Sequence, residues 1–167
     1  MLVLLWLAHS HHALGSVRAL ASETHLSLAS VQRALSRLEA VGLYDPRRRT
    51  APGAQAEEFL VHAARYVVPA IRGGETRGVP TAWAVAPLSR ELANTPELPP
   101  VWPDPHGTVR GIELQPLHPA AISLARENEG FYELLALADA LRGPADARTL
   151  RFAREQMTDR LRASLPT

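Results

Sequence analysis

Residues 16–43, SVRALASETHLSLASVQRALSRLEAVGL, carry two short helical patterns separated by a tight connection. Ser16 follows a glycine and is the predicted N-cap of the first helix, because its hydroxyl can accept a hydrogen bond from a free amide of the first turn. Three apolar residues recur at helical spacing after it: Val17, Leu20 and Ala21. The spacing predicts a helix that ends near Thr24 and is followed by a turn.

The second pattern begins at Ser27, the next N-cap candidate, and ends before Gly42, because glycine commonly terminates helices. Its apolar residues are three and four positions apart: Leu28, Val31, Leu35 and Leu38. The opposite face carries small or hydrogen-bonding side chains and two arginines: Ala29, Ser30, Gln32, Arg33, Ser36 and Arg37. The sequence therefore predicts a helix with one buried face and one face available for binding.

A short basic turn follows the second helix. The Asp-Pro dipeptide at 45–46 opens the turn, and three consecutive arginines form its tip: Arg47, Arg48 and Arg49. Strand-forming residues precede the turn, so we expect a small hairpin. Three charges at a turn are also typical of a solvated surface loop, and the residues alone leave both interpretations open.

Charge is distributed unevenly along the chain. All eighteen basic residues are arginines, against seventeen acidic residues, so the net charge of +1 is close to neutral. Residues 1–50 hold six arginines and three acids, whereas residues 51–167 hold twelve arginines and fourteen acids. A basic amino-terminal third followed by a mildly acidic remainder predicts that the first part contacts a polyanion.

The string LASETHLSLASVQRALSRLEAVGLY, residues 20–44, resembles the helix-turn-helix of bacterial winged-helix regulators, the group that includes the MarR and GntR families. Such motifs usually place glycine where His25 stands, because the turn residue takes a left-handed conformation, and histidine is among the other residues enriched there. The resemblance implies a mainly α fold with a small β component, in which the basic turn forms the wing. It also implies binding to double-stranded DNA.

The resemblance gives each polar residue an expected role. Ser30, Gln32 and Arg33 lie on the early part of the second helix, where side chains reach base edges; arginine favours guanine and glutamine favours adenine. Arg37 and the turn arginines are expected at phosphates, and the first residues of the first helix at the DNA backbone. The complete predicted DNA-binding set is Ser16, Arg18, Ser27, Ala29, Ser30, Gln32, Arg33, Ser36, Arg37, Arg47, Arg48 and Arg49.

Beyond the turn, residues 55–68 predict a helix with Phe59, Ala63 and Tyr66 on one side, which the proline at 69 terminates. Residues 69–119 are rich in proline and glycine. Within them, Thr108–Leu114 alternates enough to predict a strand, and two tryptophans, Trp83 and Trp102, predict that the segment packs against helices. We place a domain boundary here, between a winged helix-turn-helix domain at 1–68 and a proline-rich segment with carboxy-terminal helices at 69–167.

Two predicted helices near the carboxyl terminus have broad apolar faces. Asn128 is the predicted N-cap of the first, whose apolar residues are Phe131, Leu134, Leu135, Ala138 and Leu141. Gly143-Pro144 separates it from the second, which carries Leu150, Ala153, Met157 and Leu161. These faces either cover the core or form a dimer interface. We expect a homodimer, because a single winged helix reads few base pairs and twofold dimers read palindromes.

The composition excludes several classes of protein. Without cysteine there is no disulfide, thiolate metal site or thiol nucleophile, and a reducing cytoplasm is the expected location. The apolar run Leu2–Ala8 is too short for a membrane span and lacks the basic region of a secretory signal. Glu58 and His62 lie four positions apart, but no second ligand pair and no catalytic motif accompany them. We therefore predict no metal, no cofactor and no enzymatic activity.

The leading interpretation is a sequence-specific DNA-binding transcription regulator, most simply a cytoplasmic repressor that acts as a dimer. The alternative is an antitoxin or adaptor whose carboxy-terminal region binds a partner protein, with DNA binding for autoregulation or absent.

Overall fold

The computed structural model describes residues 1–10, 13–92 and 97–163, and the chain in these ranges is mainly helical with one small sheet. The predicted fold class of mainly α with a small β component is confirmed at this level. In chain order the elements are α1 (Leu2–His9), α2 (Val17–Glu23), α3 (Leu28–Ala40), α4 (Gly53–Glu58), a π-helical turn (Phe59–Ala63), α5 (Ala64–Val67), β1 (Arg72–Pro80), a 3-10 turn (Ala82–Ala84), α6 (Leu88–Glu91), β2 (Pro100–Pro103), β3 (Val109–Leu114), α7 (Ala121–Glu127), α8 (Glu129–Arg142) and α9 (Ala147–Ala163).

The proline-rich segment contains the whole sheet. The predicted strand at 108–114 is present as β3, but β1 and β2 were not predicted. β1 pairs antiparallel with both of the others, and β2 pairs parallel with β3, so the three strands close on themselves. Gly78 faces the backbone of Trp102, and a side chain at this position would collide with the Trp102 carbonyl. The strands can approach so closely because glycine occupies this position.

Two hydrophobic clusters meet at α1. The smaller one, the amino-terminal core, combines one side of α1 with the helix pair and includes Leu7, Leu20 and Val31. The larger one, the main core, takes the other side of α1 and combines it with the sheet and the last three helices; it includes Leu4, Leu60, Trp102, Phe131 and Met157. The main core therefore contains residues from both sides of the predicted domain boundary at residue 68.

The predicted helix at 55–68 is interrupted by the π-helical turn at Phe59–Ala63. A π-turn holds an extra residue, so it rotates the residues after it relative to an uninterrupted helix. Leu60, Val61 and Ala64 are consequently buried, whereas the side chain of Tyr66, predicted to lie on the apolar side, is 80% exposed. The helical segment ends at Val67, before Pro69, as expected.

The apolar faces of α8 and α9 are buried inside the chain. The five predicted apolar residues of α8 are each at most 3% exposed, and so are Ala153 and Met157 of α9; Leu161 is 4% exposed, whereas Leu150 in the first turn of α9 is half-buried. Asn128 caps α8 as predicted, accepting a hydrogen bond from the Phe131 amide at 2.9 Å. Of the two interpretations of these faces, the structure supports the one in which they cover the core, and they are not available for a dimer interface.

A buried ion pair within α8 is hydrogen-bonded to the sheet. Asp139 and Arg142 are 1% and 5% exposed, and the Arg142 Nε donates to Asp139 Oδ1 at 2.8 Å. The other oxygen of Asp139 accepts from the Thr81 hydroxyl at 2.7 Å and from the Trp102 indole at 2.6 Å. Burial raises the pKa of Asp139, and the charge of Arg142 and these hydrogen bonds act in the opposite direction.

Candidate nucleic-acid interface

The helix pair α2 and α3 has the caps and the turn that its sequence predicts. The Ser16 hydroxyl accepts from the Ala19 amide at 3.0 Å and the Ser27 hydroxyl accepts from the Ser30 amide at 3.1 Å. Between the helices, His25 has φ 55°, the left-handed conformation expected at the turn. The buried Thr24 hydroxyl donates to the Leu20 carbonyl at 2.6 Å, which closes the end of α2.

α3 packs into the amino-terminal core through Val31 and Leu35, with Leu38 partly buried against it. Its opposite side is free of such packing. Five of the six residues predicted for that side are exposed, and Ser30 is half-buried: Ala29, Ser30, Gln32, Arg33, Ser36 and Arg37. The predicted division of α3 into a buried face and an outward face is present for these residues. Leu28, predicted on the apolar face, is instead 40% exposed, because it is the first residue of α3 and lies outside the amino-terminal core.

The polar groups on the outward face differ in how they are engaged. Ser30 Oγ accepts hydrogen bonds from the Ser27 hydroxyl at 2.9 Å and from Arg33 Nη2 at 3.2 Å, so Arg33 is drawn toward the amino-terminal end of α3. In the part of the chain that the structure describes, the side chains of Gln32 and Arg37 form no hydrogen bond or ion pair. Ser27 acts as a helix cap, which leaves it less free to contact a ligand than its neighbours.

The basic turn is held by Asp45. An isolated bridge joins Asp45 to Thr50, and Asp45 Oδ1 accepts from the amides of Arg47 at 2.8 Å and Arg48 at 3.1 Å. The hydrogen bond from the Arg48 amide is the main reason that the pKa of Asp45 lies below its ordinary value. An ionised carboxylate at neutral pH thus fixes the conformation of the turn.

The three arginines of the turn have different surroundings. Arg49 has φ 59°, its carbonyl accepts from the Leu14 amide at 2.8 Å, and its guanidinium donates to the Gly15 carbonyl. These bonds tie the turn to the segment just before α2. The side chain of Arg48 is 84% exposed, and its Nε lies 3.9 Å from Asp45 Oδ2. Arg47 is exposed as well. Sequence reasoning treated the three arginines alike and missed the anchoring bonds of Arg49.

The basic turn lies close to the start of α2. The bond between Arg49 and Gly15 places the turn beside Ser16, the N-cap of α2, and the turn at His25 places α3 directly after α2. Of the acids in residues 1–50, Glu23 accepts a hydrogen bond from the Trp6 indole at 3.1 Å, Asp45 holds the turn, and Glu39 is exposed near the carboxyl end of α3. The exposed arginines of residues 1–50 outnumber these acids: Arg18, Arg33, Arg37, Arg47 and Arg48.

One contact between this region and the rest of the chain was not predicted. His25 Nε2 lies 2.9 Å from Glu127 Oε2, at the last residue of α7. The two side chains are 39% and 56% exposed. No sequence signal could have found this pair, because 102 positions separate the two residues. It connects the turn of the helix pair to the body of the protein.

Within residues 1–10, 13–92 and 97–163, no group of three or more histidine or acidic side chains is arranged to hold a metal ion. His62, the residue paired with Glu58 in the sequence pattern, lies in the π-helical turn.

No helix in the described ranges combines the length and the apolar character needed to cross a membrane. Comparison of the chain with known protein families, with curated proteins and with solved structures finds no match.

Proposed function

We propose that the protein is a sequence-specific regulator that binds double-stranded DNA through a winged helix in residues 1–68. The single observation that carries the proposal is the outward face of α3, where Gln32, Arg33 and Arg37 are exposed, and the chain continues from α3 into a basic turn. A helix of this width fits the major groove, where guanidinium and amide groups read base edges. Arg47 and Arg48 would then contact the phosphate backbone.

The proposed regulator acts by occupying its operator, most simply as a dimeric repressor. Because α8 and α9 are buried inside the chain, the dimer needs another surface. Tyr66, Val67 and Ile71 are 80%, 66% and 63% exposed and lie close together in the sequence. Large exposed apolar side chains of this kind are typical of interfaces, so we assign the dimer contact to them. Ile71→Asp should then yield a monomer in sedimentation velocity, whereas Leu98→Asp, at an exposed leucine elsewhere, should not.

The exposed Ile71 also favours the second candidate, an antitoxin or adaptor that binds a partner protein through its carboxy-terminal region, because Ile71 lies within residues 69–167. The two candidates differ in what Ile71→Asp removes. A regulator loses self-association and part of its DNA affinity, whereas an adaptor loses its partner and keeps its own oligomeric state. Co-purification of the wild type and the variant with the product of a neighbouring gene separates the two cases.

DNA binding is tested by selecting duplexes from a random pool and measuring the affinity of the enriched site by mobility shift. Arg33→Ala with Arg37→Ala should weaken binding by at least about tenfold for each arginine that contacts a base or a phosphate. The matched control is Arg151→Ala with Arg154→Ala, which removes the same charge from exposed positions on α9. Equal affinities of the two double variants, or no enrichment from the pool, would exclude the proposed function.

A further inference from the structure

The amino-terminal part of α3 contains a chain of three hydrogen-bonded side chains: Ser27, Ser30 and Arg33. The Ser27 hydroxyl accepts from the Ser30 amide at 3.1 Å and donates to Ser30 Oγ at 2.9 Å. Ser30 Oγ also accepts from Arg33 Nη2 at 3.2 Å. The N-cap of the helix therefore fixes Ser30, and Ser30 in turn holds the guanidinium of Arg33.

The partner of Arg33 is a neutral hydroxyl. Arg110, by contrast, is paired with the Glu75 carboxylate at 2.6 Å. A carboxylate compensates the charge of the guanidinium that it holds, whereas a hydroxyl orients the guanidinium and leaves its charge uncompensated. Because Arg33 is exposed, this oriented positive charge is available to a ligand.

The guanidinium of Arg33 keeps enough donors to read a base. The bond to Ser30 uses one of its five N–H groups, and two of the others suffice for the bidentate hydrogen bonds that arginine donates to O6 and N7 of guanine. The bond also draws the side chain toward the amino-terminal end of α3, the end at which the second helix of a helix-turn-helix contacts base edges. A long side chain that is already held in place loses less rotamer freedom on binding.

We propose that Ser30 is a positioning residue that orients Arg33 to read one guanine in the major groove. This role rests on the DNA binding proposed above, and it assigns different tasks to the two arginines of the outward face. Arg33 provides sequence specificity, because its guanidinium is oriented before DNA binds. Arg37 provides affinity through the phosphate backbone, since its side chain forms no hydrogen bond or ion pair within the described residues and can follow the backbone of any sequence.

The experiment starts from the duplex that the wild type enriches from a random pool. The guanine is located as the base pair at which Arg33→Ala loses the preference for G·C over A·T, and the ratio of the two affinities measures discrimination. We expect Arg33→Ala to lower this ratio by about tenfold or more. Ser30→Ala should lower it by about two- to tenfold, because the DNA itself must then immobilise Arg33. Ser30→Thr keeps a hydroxyl and should restore most of the ratio.

Two control variants separate positioning from a general loss of binding. Ser22→Ala removes a serine hydroxyl from an exposed position on α2 and should leave the ratio unchanged. Arg37→Ala should weaken binding to both duplexes alike and reduce the slope of log affinity against log salt by about one. Ser30→Ala should keep the slope of the wild type, because it removes no contact with phosphate.

The proposed DNA binding and the proposed role of Ser30 fail in different ways. If the wild type enriches no duplex, both are excluded. If it enriches a duplex and Ser30→Ala discriminates as well as the wild type, DNA binding stands and the role of Ser30 is excluded. A loss in Ser30→Ala that Ser30→Thr does not restore, or that affects both duplexes equally, also excludes that role.

Discussion

His25 Nε2 and Glu127 Oε2 form a hydrogen-bonded pair at 2.9 Å that connects the turn before α3 to the carboxyl end of α7. Both side chains are more than a third exposed, so water screens their attraction. The pair joins the α2–α3 pair to one of the later helices. Its importance therefore lies in orientation more than in stability.

A double-mutant cycle measures this pair. His25→Asn keeps a residue that tolerates left-handed backbone, and Glu127→Gln keeps the size of the side chain. We expect a coupling energy of about 0.2–1 kcal/mol at low salt from urea unfolding, and a smaller one at high salt. A coupling energy above about 2 kcal/mol that survives high salt would contradict the solvent-screened pair described above.

The three arginines of the basic turn should differ in what they contribute to DNA affinity and to stability. Arg47→Ala and Arg48→Ala should each reduce the slope of log affinity against log salt by about one, with unfolding free energies within about 0.5 kcal/mol of the wild type. Arg49→Ala should instead lower stability more than either, because it removes the bond to the Gly15 carbonyl. Arg49→Gly isolates the backbone contribution, since glycine favours the positive φ at this position. Identical behaviour of the three alanine variants would contradict the division.

The cap of α3 gives a third prediction. Ser27→Ala removes the acceptor for the Ser30 amide and should cost about 1 kcal/mol of unfolding free energy. Ser36→Ala, on the same outward face within the helix, should cost nothing, because alanine is the better helix former. Thermal unfolding of the two variants makes the comparison. Equal stability would show that the cap is not formed in solution.

Disrupting the buried pair of Asp139 and Arg142 should cause the largest loss of unfolding free energy among these variants. Asp139→Asn leaves a buried guanidinium without its counter-charge and should cost about 3–5 kcal/mol. The double variant Asp139→Asn with Arg142→Leu should be more stable than the single variant, because it removes the unpaired charge as well. Asp159→Asn, an exposed position on α9, serves as the control. The Arg142 guanidinium also donates to backbone carbonyls, most closely to that of Gln115 at 2.8 Å. If the double variant is the less stable, Arg142 stabilises the fold mainly through these bonds.

Tyr132 should make stability depend on pH in the alkaline range. Its hydroxyl donates to the Pro80 carbonyl at 2.7 Å, and burial raises its pKa from 10.0 to about 12. The unfolded chain ionises at the lower value, so the contribution is complete below pH 10 and is lost as pH rises through about 12. Urea unfolding of wild type and Tyr132→Phe over this range should give a steeper decline for the wild type. Parallel curves would rule out the raised pKa.

The helices could be predicted because their signals are local. Ser16, Ser27 and Asn128 each cap the helix that follows them, and the apolar spacing identified the buried side of α3. These features depend on residues three or four positions apart, which a single sequence displays directly. The location of the basic turn beside α2 depends instead on the bond between Arg49 and Gly15, which are 34 positions apart, and the sequence did not indicate it.

The strands β1 and β2 could not be predicted, because their residues are poor strand formers. β1 contains three glycines and β2 begins and ends with proline. Their pairing depends on contacts between distant parts of the chain, such as the approach of Gly78 to Trp102. The pair of His25 with Glu127 depends on a long-range contact too, and for the same reason the sequence did not indicate it. The apolar spacing of α8 and α9 could not distinguish a core from a dimer interface.

The position of α1 constrains how the molecule can respond to a ligand. Leu4 and Leu5 of this helix belong to the main core, whereas Val3 and Leu7 belong to the amino-terminal core. Because α1 packs against both clusters, it cannot rotate or shift without disrupting the packing of one of them. If α3 moves relative to the sheet, α1 must therefore either move with it as a rigid body or lose its packing in one of the two clusters.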